Sequence, residues 1–156
     1  GEVESGVWCL ALSHTSNRLY SGSIDKTIKV WDTVSHACLC TMEGHCGMLG
    51  SLCLSEDGSR LYSAAKDYTI KVWDTATYSC IATLEGHTNY VSSLCLSFKT
   101  HRLISASYDK TIRVWDTLTH ACVYTLDDVH SGCVFSLSLS DNRDTLYSAS
   151  YDNTIK

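Results

Sequence analysis

The segment TIKVWDT at 27–33 returns unchanged at 69–75 and as TIRVWDT at 111–117, a period of 42 residues. Self-similarity at this length marks a chain built of like supersecondary units, each burying apolar surface against the next. Asp25, Asp67 and Asp109 keep the same spacing. A fourth copy, Asp152, comes one residue late because LDDVH stands where the earlier unit has LEGH. Four units are therefore expected, the last stopping at Lys156 before a Trp-Asp pair of its own.

Within a unit, short segments such as VSSLCLS, HRLISAS, TIRVWDT and ACVYTL alternate with turn-forming clusters. Their length and their wealth of Val, Ile, Leu, Tyr and Thr predict strands rather than helices. The connectors SHTSN, SEDGS and SDNRD, with SIDKT and its equivalents, supply Ser, Asp, Asn and Gly where tight hairpins need them. Each unit reads as a four-stranded antiparallel meander. Such a meander cannot bury both faces alone, so consecutive copies are expected to stack around an axis.

Together with the Gly-His dipeptides at Gly44-His45 and Gly86-His87, the repeated Trp-Asp motif resembles the WD-repeat family of β-propellers, over essentially the whole chain. The resemblance implies an all-β fold of four-stranded antiparallel blades: blade 1 at about 3–43, blade 2 at about 45–85, blade 3 at about 87–128 and a partial blade 4 at about 130–156. Family propellers commonly have about seven blades, so the chain is expected to form an incomplete ring, a fragment of a longer propeller. Closure by two copies is not expected, because the N-terminus supplies no strand to complete the fourth unit. The family's Ser-Pro-Asp-Gly turn is absent and there is no proline, although Asp57-Gly58 keeps part of it.

Every unit also carries Ser, His and Asp, the residue types of a nucleophilic hydrolase. Catalysis needs one such set, and here the set recurs, so no catalytic residue is expected. The resemblance implies instead a structural hydrogen-bond network in each blade. Its members would be Ser21, Asp25 and Trp31 in the first and His45, Ser63, Asp67 and Trp73 in the second. The third would use His87, Ser105, Asp109 and Trp115, and the fourth His130, Ser148 and Asp152. The first blade departs from the pattern, because the histidine position falls on Val3, and a looser brace is expected there.

Composition narrows the function classes. At 156 residues with 44% hydrophobic side chains the chain can bury a core, and at net charge −5 without a Lys/Arg run it lacks a footprint for nucleic acid. No apolar stretch approaches the roughly 20 residues that span a bilayer, and GEVESGVWCL carries no secretory pattern. Nine cysteines, odd in number and unclustered, suit free, buried thiols in a reducing compartment, so a cytoplasmic or nuclear location is expected. His36, Cys38, Cys40, His45 and Cys46 lack paired CxxC spacing, so neither a metal nor any other cofactor is expected.

The resemblance further implies that partners, other proteins, meet the rim formed by the loops entering the innermost strands and the turns just before each structural Asp. Those positions are Ile24, Lys66, Tyr108 and Tyr151, with Met48, Tyr90 and Cys133. Tyr90, Tyr108 and Tyr151 are the candidate hot spot, since large amphipathic rings give contact area at low entropy cost; alternatively Tyr108 and Tyr151 pack over their own turns. Trp8 and Phe135 share a register with Gly50 and Ser92 and are expected to fill gaps between blades, while His14, His36, His101 and His120 read as solvated turn residues. Two functions follow: a protein–protein interaction scaffold in a multiprotein complex, or the substrate-targeting propeller of a larger enzyme such as a kinase or a ubiquitin ligase.

Overall fold

The structure is a computed structural model that describes residues 6–140 and 145–156; Val3, the departing position of the first blade, lies outside them. Three four-stranded sheets follow in chain order. Blade 1 holds β1 (Val7–Leu12), β2 (Arg18–Ser23), β3 (Ile28–Asp32) and β4 (Cys38–Met42). Blade 2 holds β5 (Leu49–Leu54), β6 (Arg60–Ala65), β7 (Ile70–Asp74) and β8 (Cys80–Leu84). Blade 3 holds β9 (Val91–Ser97), β10 (Arg102–Ser107), β11 (Ile112–Asp116) and β12 (Cys122–Leu126). A two-stranded sheet of β13 (Val134–Leu139) and β14 (Leu146–Ser150) begins the fourth blade, with one further bridge between Ala149 and Ile155. All pairings are between sequential neighbours and antiparallel, as short hairpin connectors dictate.

The core lies between the sheets. Tyr20, Ile28, Val30 and Met42 of blade 1 meet Leu49, Leu52 and Leu61 of blade 2. Tyr62, Ile70, Val72 and Leu84 then meet Val91, Leu94 and Leu103, and Ile104, Ala106 and Ile112 meet Val134. Each sheet therefore covers one face of the next, which is why the apolar positions recur at the repeat period. The first strands, β1, β5, β9 and β13, stand side by side at the hub. Serines stitch them together: the Leu94 N–H donates to Ser51 Oγ and the Leu137 N–H to Ser93 Oγ, both at 3.1 Å. Ser92 Oγ donates to the Val134 carbonyl at 2.7 Å.

Each first strand carries a β-bulge whose unpaired residue is Trp8, Gly50, Ser92 or Phe135. A bulge re-aims its side chain, and this corrects the expectation that Trp8 and Phe135 fill interblade gaps. Trp8 is 61% exposed, and Phe135, 42% exposed, turns onto Tyr151 of its own blade with ring centroids 5.2 Å apart. The thiols also divide: Cys38, Cys46, Cys80 and Cys122 are exposed rather than core residues, whereas burial pushes the Cys95 thiol up to about 12.

Interblade burial carries the fold, so Leu49→Ala is expected to cost about 2–5 kcal/mol, the range for emptying a filled core site. Leu118→Ala, at a side chain 79% exposed in the β11–β12 turn, should stay within about 0.5 kcal/mol. Urea unfolding of the two variants beside the parent chain checks both.

Candidate functional site

The segment ahead of each first strand and the turn between the second and third strands lie at the same end of a blade. His45 bridges them: one ring nitrogen, Nδ1, is 2.8 Å from Asp67 Oδ2 and the other, Nε2, is 2.7 Å from Ser63 Oγ. A carboxylate only accepts, so Nδ1 carries the proton and Nε2 accepts the serine O–H. Ser63 Oγ in turn accepts the Trp73 Nε1–H at 2.8 Å. The same chain of bonds joins His87, Asp109, Ser105 and Trp115 in blade 3, and His130, Asp152 and Ser148 in blade 4. Trp73 and Trp115 are both 2% exposed, and their rings sit beside the histidines at 6.3 and 6.2 Å.

The connectivity matches a hydrolase triad, but Ser63 and Ser105 are fully buried beneath tryptophans that occupy their oxygens. No substrate atom can reach them. The Gly of the Gly-His pair explains itself: Gly44 and Gly86 have φ of 151° and 145°, and a Cβ on Gly44 would come within 3.2 Å of Trp73.

Each carboxylate does several jobs. Asp67 Oδ2 also accepts the Cys46 N–H at 2.8 Å, while Oδ1 accepts the Thr69 N–H and hydroxyl at 3.1 and 2.8 Å. Burial alone would raise the pKa of Asp67 and Asp109; the hydrogen bonds from histidine, threonine and, at Asp67, the Cys46 N–H outweigh it and hold both far below the usual carboxylate range. In blade 1 Trp31 still donates to Ser21 Oγ at 2.8 Å and Asp25 still accepts from Thr27. Trp31, however, is only half-buried.

A second recurring set went unread in the sequence. Arg18, Arg60 and Arg102 stand directly opposite Asp32, Asp74 and Asp116 across the second and third strands. Arg18 and Arg60 bond these carboxylates at 2.8 and 2.6 Å, and Arg102 pairs with Asp116 in the same way. The other oxygen caps the following turn, as in the bonds from the Val34 and Ser35 N–H groups to Asp32 at 3.0 and 2.8 Å. Turn N–H groups from Thr119 and Leu118, outweighing burial, with Arg102 beside them, bring Asp116 down to about 2. The signal was present, since the arginines keep the 42-residue period, but pairing shows only once strand register is known.

The rim positions meet in pairs. The Lys66 N–H donates to the Met48 carbonyl, Tyr108 to Tyr90 and Tyr151 to Cys133, each at 2.9 Å, and Ile24 donates to Gly6 at the same distance. Tyr90 is half-buried and lies over the Gly50 bulge of the preceding blade, where a Cβ would fall 2.4 Å from its hydroxyl. Its ring packs against Tyr108 at 5.2 Å. Tyr108 packs edge-on against Tyr151 across the blade boundary at 5.9 Å and 88°. With Phe135, which packs on Tyr151, the tyrosines form a row of four rings, in which Tyr151 is 64% exposed.

At the opposite end a cleft of about 670 Å³ opens between blades 2 and 3, lined among others by Glu56, Arg60, Leu96, His101 and His120. His120 is half-buried, and its Nδ1 has no partner among the described residues, unlike the solvated histidine that its turn position suggested. Among the described residues no group of three or more His, Cys, Asp or Glu is gathered for a metal, and no helix is long and apolar enough to cross a membrane.

The repeated sheets and their recurring polar network define a WD-repeat β-propeller. The family described as WD domain, G-beta repeat matches residues 1–32, 36–74, 78–116 and 120–156, and the chain belongs to it. Domains of this family are protein–protein interaction modules, and this chain is one. Among solved structures it is similar to the crystal structure of the computationally designed Ika4 protein, at TM-score 0.85 and 34% identity, over 99% of this chain and 91% of that one. Among curated proteins it is similar to Myosin heavy chain kinase C of Dictyostelium discoideum. The two are 49% identical over 37 residues, which are 24% of this chain and 5% of the kinase.

Two outcomes follow from the network. Trp73→Ala should cost about 3–5 kcal/mol through the lost ring and the emptied site, whereas Tyr151→Ala should stay within about 0.5 kcal/mol; thermal and urea melts distinguish them. A carboxylate whose pKa is depressed by folding contributes stability that is fully present above its unfolded value near about 3.9 and is lost as pH falls through the folded value. Stability should therefore decline steadily as pH drops below about 4, and Asp67→Asn should weaken the chain at neutral pH while flattening that decline, measured by urea titrations across the acid range.

Proposed function

We propose that this chain is a non-catalytic scaffold that holds other proteins in a complex, with the tyrosine row as its contact surface. The observation that carries the reading is the row itself: Tyr90, Tyr108 and Tyr151 with Phe135 gather ring surface on one rim across two blades. Aromatic rings in such a cluster supply the anchors that dominate association energy. The Ser, His and Asp sets that might have supported catalysis are engaged beneath that surface. Ile24, Met48, Lys66 and Cys133 complete the proposed rim. Nine free cysteines, four of them exposed, favour a reducing compartment, cytoplasmic or nuclear, as its location.

A second reading has a specific observation in its favour. Similarity to a stretch of a protein named as a kinase supports a role as the targeting propeller of a larger enzyme, which would present substrates to a catalytic domain elsewhere.

The test is affinity capture of the native polypeptide, with mass spectrometry of its full length and of what co-purifies. Stoichiometric, non-enzymatic companions, lost when Tyr108 and Tyr151 are changed to Ala, are the expected result for a scaffold. A catalytic domain in the same polypeptide would replace that reading with the second. Companions retained by the Ala variants would remove the tyrosine row from either.

A further inference from the structure

Resting on the rim reading above, we infer that the partner enters the tyrosine row as an acidic peptide segment carrying an aliphatic or aromatic side chain. The chain is acidic overall, at net charge −5, yet among the described residues the turns of the inner rim expose only lysines as charged side chains. Asp67, Asp109 and Asp152 are turned under the rim, each with both oxygens taken by hydrogen bonds. Among the described residues of the rim turns Asp25 is half-buried, and the exposed charged side chains are Lys26, Lys66 and Lys110, each in the turn between the second and third strands of blades 1, 2 and 3, with Lys110 two residues from Tyr108. No ion pair engages them among the described residues. Glu43, Glu85, Asp127 and Asp128 share this end of the molecule but directly follow the outermost strands β4, β8 and β12, so they ring its outer edge.

The inner rim therefore offers ring faces, phenolic O–H donors and ammonium donors together. A carboxylate satisfies both kinds of donor, while an aliphatic or aromatic neighbour on the same segment covers the rings. A lysine- or arginine-bearing segment would gain cation–π attraction from the rings but would meet the like charges of Lys66 and Lys110. The outer carboxylates would hold off an acidic segment until it reaches the centre, which favours one seating over a spread of them.

The test selects a random peptide display library on the intact chain. The expected pool is enriched in Asp and Glu beside aliphatic or aromatic residues. Peptides synthesised from it should bind about fivefold or more weakly to Lys66→Glu and to Lys110→Glu, and should weaken comparably between about 0.05 and 0.5 M salt. Enrichment of Lys or Arg, or a pool without charge bias that still fails on Tyr108→Ala, overturns the acidic partner and leaves the tyrosine row standing. A pool indifferent to Tyr108→Ala and Tyr151→Ala, or no enrichment at all, overturns the row and this inference with it. The lysines are exposed, so circular dichroism of the Glu variants should match the parent chain.

Discussion

The bond between histidine and aspartate, 2.8, 2.7 and 2.9 Å long in the three blades that have it, is the contact on which the upper rim depends. It ties a loop to a turn that lies 22 residues further along the chain. Those same two segments carry the paired rim residues Met48 and Lys66, Tyr90 and Tyr108, Cys133 and Tyr151. One carboxylate gathers a ring nitrogen, a threonine hydroxyl and backbone N–H groups, so a single residue sets the height and spacing of the rim in its blade. Charge-assisted bonds of this kind contribute about 1.5–3 kcal/mol each when satisfied, and leaving one partner orphaned costs at least as much.

The same satisfaction closes the hydrolase-like residue sets of the second and third blades to a substrate. A nucleophile must be reachable, and the Ser63 and Ser105 oxygens lie under tryptophan, accepting its N–H while donating to histidine. What repeats in every blade is architecture; what differs between blades is where recognition can reside. The position before the structural aspartate runs Ile24, Lys66, Tyr108, Tyr151, from aliphatic to cationic to aromatic around one edge. A partner meeting that edge encounters a directional surface on a nearly periodic frame.

Periodicity also governs stability. Each sheet needs the next to cover its face, and the hub serines join first strands by side-chain bonds to backbone groups that pairing within a blade leaves available. The bulge in each first strand frees one residue from that pairing. Glycine at the second bulge makes room for Tyr90, and phenylalanine at the fourth extends the row. The row is thus assembled by hub irregularities as much as by the rim turns.

Much of this was legible along the chain because it is local or periodic. Strand alternation, turn residues and the 42-residue spacing determine the meanders and their number, since hairpins and hydrophobic alternation act over a few residues. The Trp, Ser, His and Asp sets were readable because their spacing repeats with the fold. The pairing of Arg60 with Asp74 needed strand register, which no spacing alone reveals. The exposure of Trp8 and the turn of Phe135 toward Tyr151 needed the bulges. Only the tertiary structure decided that Tyr108 would pack edge-on against Tyr151 across a blade boundary, because residues 43 positions apart meet there through the packing of one sheet against the next.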